Sequence, residues 1–247
     1  MIDVFILGYN GVDYFTKWHI GTKFSDDIRF HFVDNGNQTL TDHASNMLIH
    51  KTTNNIFCSG GWNIICDIGF DYMGLSKIVI GQEDSKFDES AIRGIYENTN
   101  EDTICSAYGS GFELSLFGLH SKTFSKVGRF DENFLIVGDE DNDYKHRCNL
   151  SNIKIKTIPC SNVHNISITG TIREPYREGN GKYLHSKWGS HSELKTRMYE
   201  YDLPFNGEKT SYMRDDYRNH FNLPEGTETY MSEVEYNLFK QSRNNNE

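Results

Sequence analysis

The chain has no stretch approaching the apolar length needed to cross a bilayer and no basic lead before its first apolar run, MIDVFILGYNGVDYF. A membrane span and a secretion signal are therefore not expected, and the reading is of a cytoplasmic protein. Its five cysteines, Cys58, Cys66, Cys105, Cys148 and Cys160, are odd in number and show no C-x-x-C pair. Reduced, mostly buried thiols are expected rather than a disulfide framework or zinc ribbon. Without a secretory route the sequons at Asn37, Asn149 and Asn165 are chance matches. Positive charge is also short: 25 Lys and Arg stand against 35 Asp and Glu, a formal net charge of −10. That balance argues against a protein that coats nucleic acid, although it leaves room for a local basic groove. Neither an internal repeat nor a sustained heptad pattern is present.

What remains is globular: 247 residues with 36% hydrophobic and 13% aromatic content. Such a chain can bury one large core, with or without a C-terminal extension. Its densest feature is Arg129 to Arg147, RFDENFLIVGDEDNDYKHR, where Asp131, Glu132, Asp139, Glu140, Asp141 and Asp143 crowd together. Like charges this close repel unless a cation or water screens them, so something positive belongs nearby. Gly138 followed by Asp139 reads as a helix start, with Asp139 as the cap and Glu140 and Asp141 in the first turn. On that helix Glu140, Asp143, Tyr144 and Arg147 share a face, and Asp141 can reach Lys145 one turn on. A capped, solvated surface helix would explain the same letters. An EF-hand would not, because its sixth position would be Tyr144 instead of Gly and its twelfth Leu150 instead of Glu.

The stretch VGRFDENFLIVGDEDNDYKHR resembles the acceptor-side motif of family 2 glycosyltransferases, which commonly read G-x-F-D-E-x-F, a spacer, then E-D-x-D and an Arg. The resemblance covers approximately the first 165 residues. It implies a GT-A fold, an α/β domain with a mostly parallel Rossmann-like sheet flanked by helices, and a C-terminal helical or loop extension. It also implies that Asp141 is the catalytic base, with Glu140 beside it in the catalytic pair and Arg147 at a nucleotide-sugar position.

The remaining segments are placed by pattern. Asp3 to Gly8 is a central strand ending in the turn Tyr9-Asn10-Gly11, Val12 to Gly21 reads as a helix, and Arg29 to Val33 is a strand ending at Asp34-Asn35-Gly36. Ligands of open α/β sheets bind at such strand ends. The resemblance makes Tyr9 and Asp34 the contacts to base and ribose and puts Asn63, in NNIFCSGGWNIICDIG, near the nucleotide. Trp62 and its neighbours read as core.

Lys77 to Phe87, KIVIGQEDSKF, is a strand running into acids, the arrangement a metal-diphosphate site needs. It stands at the family's D-x-D position, although its first acid is replaced by Gln82. Asp84 carries over as the ligand of Mn²⁺ or Mg²⁺, with Glu83 as a secondary contributor on the nucleotide-sugar side. The resemblance makes His164, after the strand Ile153 to Ile158, a further metal ligand or a contact to the diphosphate, and neutral imidazole is a competent ligand for Mn²⁺. In between, a helix is expected over Ser90 to Asn98, strands over Thr103 to Tyr108 and Phe112 to Leu119, and a helix capped by Ser121.

From about Thr169 the composition changes, and Gly170 to Gly181 reads as a loop. Residues 1–168 are thus expected to form the catalytic domain and 169–247 an extension on the acceptor side. Lys182 to Gly189 resembles the family's N-x-x-Y-x-x-x-K-W-G segment, giving Lys182, Tyr183, Lys187 and Trp188 as acceptor-side residues. Short helical signals follow at Met213 to His220 and Ser232 to Phe239, and Gln241 to Glu247 reads as a frayed end.

The implied activity is transfer of one sugar from a nucleotide sugar, a UDP-sugar, to a glycan or lipid-linked glycan, with inversion. Two alternatives stand beside it. One is a phage-type transferase acting on a hydroxymethylated DNA base, through a groove of Lys182, Lys187, Lys195 and Arg197 with Tyr183 and Trp188 stacking on the base. The other is a sugar-nucleotide-binding module without turnover.

Overall fold

The computed structural model describes residues 1–9, 15, 22–35, 47–51, 57–108, 114–134, 137–159, 164–165 and 170–188. The helix expected over Val12 to Gly21 (Phe15 apart), Lys195 and Arg197, and the signals beyond Met213 lie outside them. The first strand, β1 (Ile2–Gly8), is buried at every position. A run without polar alternation is what a parallel strand covered on both faces requires. β2 (Ile28–Asp34), β3 (Met47–Lys51) and β4 (Lys77–Gln82) join it in parallel, β2 and β4 on its two sides and β3 beyond β2.

With β6 (Thr103–Tyr108), β7 (Leu116–His120) and β8 (Lys154–Pro159), they form a seven-stranded sheet in the order β3-β2-β1-β4-β7-β6-β8. Only β7 runs against its neighbours, being antiparallel to both β4 and β6, while β6 and β8 are parallel. The strand expected from Phe112 thus begins at Leu116. This mixed, mostly parallel sheet flanked by helices is the architecture the GT-A resemblance implied.

Strand alternation sends Phe5 and Leu7 to one face and Val4 and Ile6 to the other. The first face packs with α1 (Phe57–Cys66) through Trp62 and Ile65; the second packs with α2 (Glu89–Asn98) through Ile92 and Ile95. Asp88 caps α2 by accepting the Ala91 N–H at 3.0 Å. A π-helical turn, Asp67–Tyr72, extends α1, and Arg129 grips its first residue, Asp67, with two bonds of 2.6 and 2.9 Å. The remaining elements are a two-stranded ribbon of β5 (Ser85–Lys86) with β9 (His164–Asn165), then α3 (Ser121–Val127), α4 (Glu140–Leu150) and α5 (Gly170–Trp188).

The last element corrects an expectation, because the stretch read as a loop from Gly170 to Gly181 is helical. Gly and Pro lower its local propensity. Its end is held by packing, since Tyr183, Leu184, Lys187 and Trp188 are all buried, with Phe134 in the same apolar cluster. Among the described residues no helix is long and apolar enough to cross a membrane.

Candidate active site

The acidic motif enters α4 through two residues with positive φ, Gly138 at 120° and Asp139 at 71°. Helix α4 starts at Glu140 as its sequence predicts, but the expected cap is not made. A capping side chain needs extended backbone, whereas Asp139 is left-handed, and its Oδ1 accepts instead from Asn142 Nδ2 at 3.0 Å. Glu140 bends back to accept the Gly138 N–H. It is 1% exposed, and burial, reinforced by the Asp141 charge, pushes its pKa up to about 8. Asp141, nearer the surface, has Lys145 at 3.6 Å, the contact expected one turn along the helix.

These acids meet the end of β4 across the thiol of Cys58. Burial raises the Cys58 pKa well above its ordinary value, and the charges of Glu140 and Asp141, contact with Glu140 and the charge of Asp84 add to it. Gln82 reaches the same sulfur through Nε2 at 3.7 Å. The two acidic motifs, far apart in the chain, therefore both lie close enough to Cys58, in the first turn of α1, for their charges to act on it. Phe57, with φ of 62°, leads into that turn and its carbonyl accepts Asn35 Nδ2 at 3.0 Å.

Tyr9, Asp34 and Glu83 lie at the carboxyl ends of neighbouring parallel strands, the crevice where open α/β sheets bind ligands. Asn35 donates its backbone N–H to Gly8 at 2.8 Å, and Tyr9 donates its own to Glu83 Oε1 at 2.6 Å. Asp84 directly precedes β5, whose Lys86 pairs with His164 of β9, so the ribbon brings the two expected metal ligands alongside by backbone pairing. Among the described residues no group of three or more His, Cys, Asp or Glu is arranged around a metal position. Mg²⁺ or Mn²⁺ held by one or two protein groups and a diphosphate does not require one, and an Asp carboxylate such as that of Asp84 is a hard oxygen donor of the kind these ions take.

Other expected site residues are engaged elsewhere. Asn63 is fully buried and brackets the motif: Nδ2 donates to Phe130 O at 2.9 Å and Glu132 Oε1 at 2.8 Å, and Oδ1 accepts the Phe130 N–H at 2.8 Å. Arg147, also fully buried, donates to Asp143 at 2.9 Å, Arg129 O at 2.8 Å and Val127 O at 3.3 Å. Both brace the motif from inside, where the resemblance had put them at the nucleotide.

The acceptor-side set divides in the same way. Lys187, 1% exposed, contacts Asp131 and Asp143, each at 2.6 Å. Tyr183 Oη donates to Asp131 at 2.9 Å, and Trp188 Nε1 to Asp143 at 2.7 Å. Burial alone would raise the Asp143 pKa, but Lys187 and Arg147 together with the Trp188 bond outweigh it and pull it down to about 2. Lys187, brought in by α5, thus joins Arg147 and Lys145 in supplying the positive charge the acidic stretch demands. Only Lys182 of the four is exposed, in an ion pair with Glu178. The basic, base-stacking groove of the DNA reading accordingly loses Lys187, Tyr183 and Trp188.

Sequence reasoning gave no role to Cys58, Asn35 or Asp131. For Asp131 a signal was available: two acids, Asp131 and Asp143, sharing one motif with too few local cations.

No protein-family model and no curated protein sequence matches the chain. Solved structures do. The structure of GalNAc-T7 with UDP, GalNAc and Mn²⁺ aligns at TM-score 0.52 and 9% identity, covering 98% of this chain and 58% of that one. An active-site mutant of LgtC aligns at TM-score 0.41 and 13% identity over 64% of this chain and 72% of that one. A protein from Desulfovibrio desulfuricans described as a nucleotide-diphospho-sugar transferase aligns at 0.43 and 10%, over 64% and 80%. This chain therefore spans little more than half the length of the GalNAc-T7 chain. The first likeness and the sheet topology identify the fold as GT-A, a mostly parallel Rossmann-like sheet flanked by helices.

Proposed function

We propose that the chain is a glycosyltransferase that moves one sugar from a UDP-sugar to a hydroxyl of a glycan or lipid-linked glycan, with inversion at the anomeric carbon. The observation that supports this reading is that Gln82, directly before Glu83-Asp84, reaches Cys58 at 3.7 Å while Asp84, Glu140 and Asp141 all lie near enough to charge that thiol's surroundings, at the ligand-binding edge of a GT-A sheet. Asp141 takes the proton of the acceptor hydroxyl as its oxygen attacks the anomeric carbon, and the bond from that carbon to the diphosphate breaks. Glu140, which holds its proton up to about 8, leaves the base role to its neighbour. Tyr9 and Asp34 hold the uridine. Asp84 and His164 would hold Mn²⁺ or Mg²⁺, which supplies positive charge to the leaving diphosphate. The choice of UDP and Mn²⁺ is supported by the GalNAc-T7 structure, which contains both. In this reading 169–247 is an extension on the acceptor side, to which Lys182, exposed on α5, would contribute a cation.

The test is UDP release from a panel of UDP-sugars, with and without Mn²⁺, alongside melting temperature. Metal-dependent UDP release with at least one donor is expected, because transferases leak sugar to water. A raised melting temperature with no release would assign a binding module. Neither effect with any donor would overturn the reading.

A further inference from the structure

Three consecutive residues at the end of β4 lead to three different neighbours. Gln82 turns to Cys58, and Asp84 opens the ribbon that pairs with β9. Glu83, between them, turns to β1. Its backbone N–H donates to Leu7 O at 3.0 Å, and its Oε1 accepts the Tyr9 N–H at 2.6 Å. The carboxylate closes over Gly8, where a Cβ would stand 2.8 Å from Glu83 Oε2 and collide with the Phe32 ring. Gly8 is needed there for this close approach. From the other side Asn35 donates to Gly8 O, so the turn that presents Tyr9 is held between β2 and β4.

We propose that Glu83 is a positioning residue: its carboxylate fixes the Tyr9 turn that receives the nucleoside, and the metal is left to Asp84. Its use for a nucleoside rests on the function proposed above, whereas the tether itself does not. A hydrogen bond from a backbone N–H to a carboxylate is stronger than a neutral one, so a single side chain can hold the turn before ligand arrives. The two adjacent acids then divide the labour of the D-x-D position. Glu83 serves the base end of the donor and Asp84 the phosphate end.

Two measurements test this. The first is hydrogen exchange of the Tyr9 amide, followed by NMR in the ligand-free protein. Glu83→Ala should speed exchange at Tyr9 about 10-fold and leave Ile104, in the remote strand β6, unchanged, while Glu83→Gln, whose amide oxygen still accepts, keeps most of the protection. Unchanged Tyr9 exchange in Glu83→Ala overturns the tether. The second is calorimetry with uridine and with UDP plus Mn²⁺. Glu83→Ala should weaken both by the same factor, about 10-fold, and Glu83→Gln should weaken neither by more than about 3-fold. Loss confined to UDP with Mn²⁺, in Glu83→Ala or Glu83→Gln, would make Glu83 a metal ligand and overturn the proposal. If the parent protein binds neither uridine nor UDP, the proposed function fails, and with it the role of Glu83 toward a nucleoside; the exchange result then judges the tether alone.

Discussion

Replacing Lys187 by Met should be among the most damaging single changes on α5. The ammonium lies 2.6 Å from Asp131 and 2.6 Å from Asp143 and is 1% exposed, so no water replaces it when it is removed. Two buried carboxylates would then share a pocket in which Arg147 remains paired with Asp143. Breaking a buried pair by deleting one partner typically costs ~3–5 kcal/mol. A chain of this size melts roughly 2–4 °C lower per kcal/mol lost, so the expected fall is about 6–20 °C. Lys182→Met, on the exposed side of the same helix, is the control, and a surface pair like its contact with Glu178 is worth about 0–1 kcal/mol. The double variant Lys187→Met with Asp131→Asn, which removes the carboxylate whose ion pair was with Lys187, should recover part of the loss. Thermal unfolding followed by calorimetry and circular dichroism measures all three. If Lys187→Met melts within about 2 °C of Lys182→Met, the buried ion cluster is not what holds α5 to the motif.

Stability should also report the protonation of Glu140. The folded chain keeps that proton up to about 8, while an unfolded glutamate releases it near ~4.3, so the folded state binds more protons between these values and stability falls as pH rises through them. Glu140→Gln removes this decline, and denaturant titrations should find it more stable than the parent at pH 8; an unaltered pH profile would refute the raised pKa. Asp143 works in the opposite sense: its pKa is depressed to about 2, so its contribution is present above about 4 and lost as pH falls toward 2, a decline that Asp143→Asn should flatten. Asp141→Asn should cut sugar transfer by ~10²–10⁴-fold with donor binding nearly intact, and near-normal kcat would remove Asp141 from the base role. Asp84→Ala should weaken UDP with Mn²⁺ far more than uridine, and equal losses by calorimetry would exclude it as a ligand.

Local letters were enough for the sheet edge. The apolar runs Val4 to Leu7 in β1 and Ile78 to Ile80 in β4 suit strands covered on both faces, and the turn signals after Gly8 and Asp34 and the acids after Gln82 mark the strands' carboxyl ends. The start of α4 at Glu140 was legible for the same reason, because glycine and clustered acids at a helix N-terminus act within one turn. What lay beyond reach depended on partners distant in the chain. Asn63 and Arg147 look like ligand-binding side chains until the backbone of Val127 to Phe130 folds beside them and offers carbonyl oxygens at hydrogen-bond distance. Lys187, Tyr183 and Trp188 look like an accessible basic and aromatic surface until α5 docks and their polar atoms meet Asp131 and Asp143. Helix α5 itself runs against its Gly and Pro content, since burying Tyr183, Leu184 and Trp188 outweighs a propensity summed residue by residue. The sequence by itself determined the strands, their turns and the acids at their ends, whose causes are local. Tertiary structure decided which polar side chains face the crevice and which brace it, because desolvation and partner geometry exist only after the chain has closed on itself.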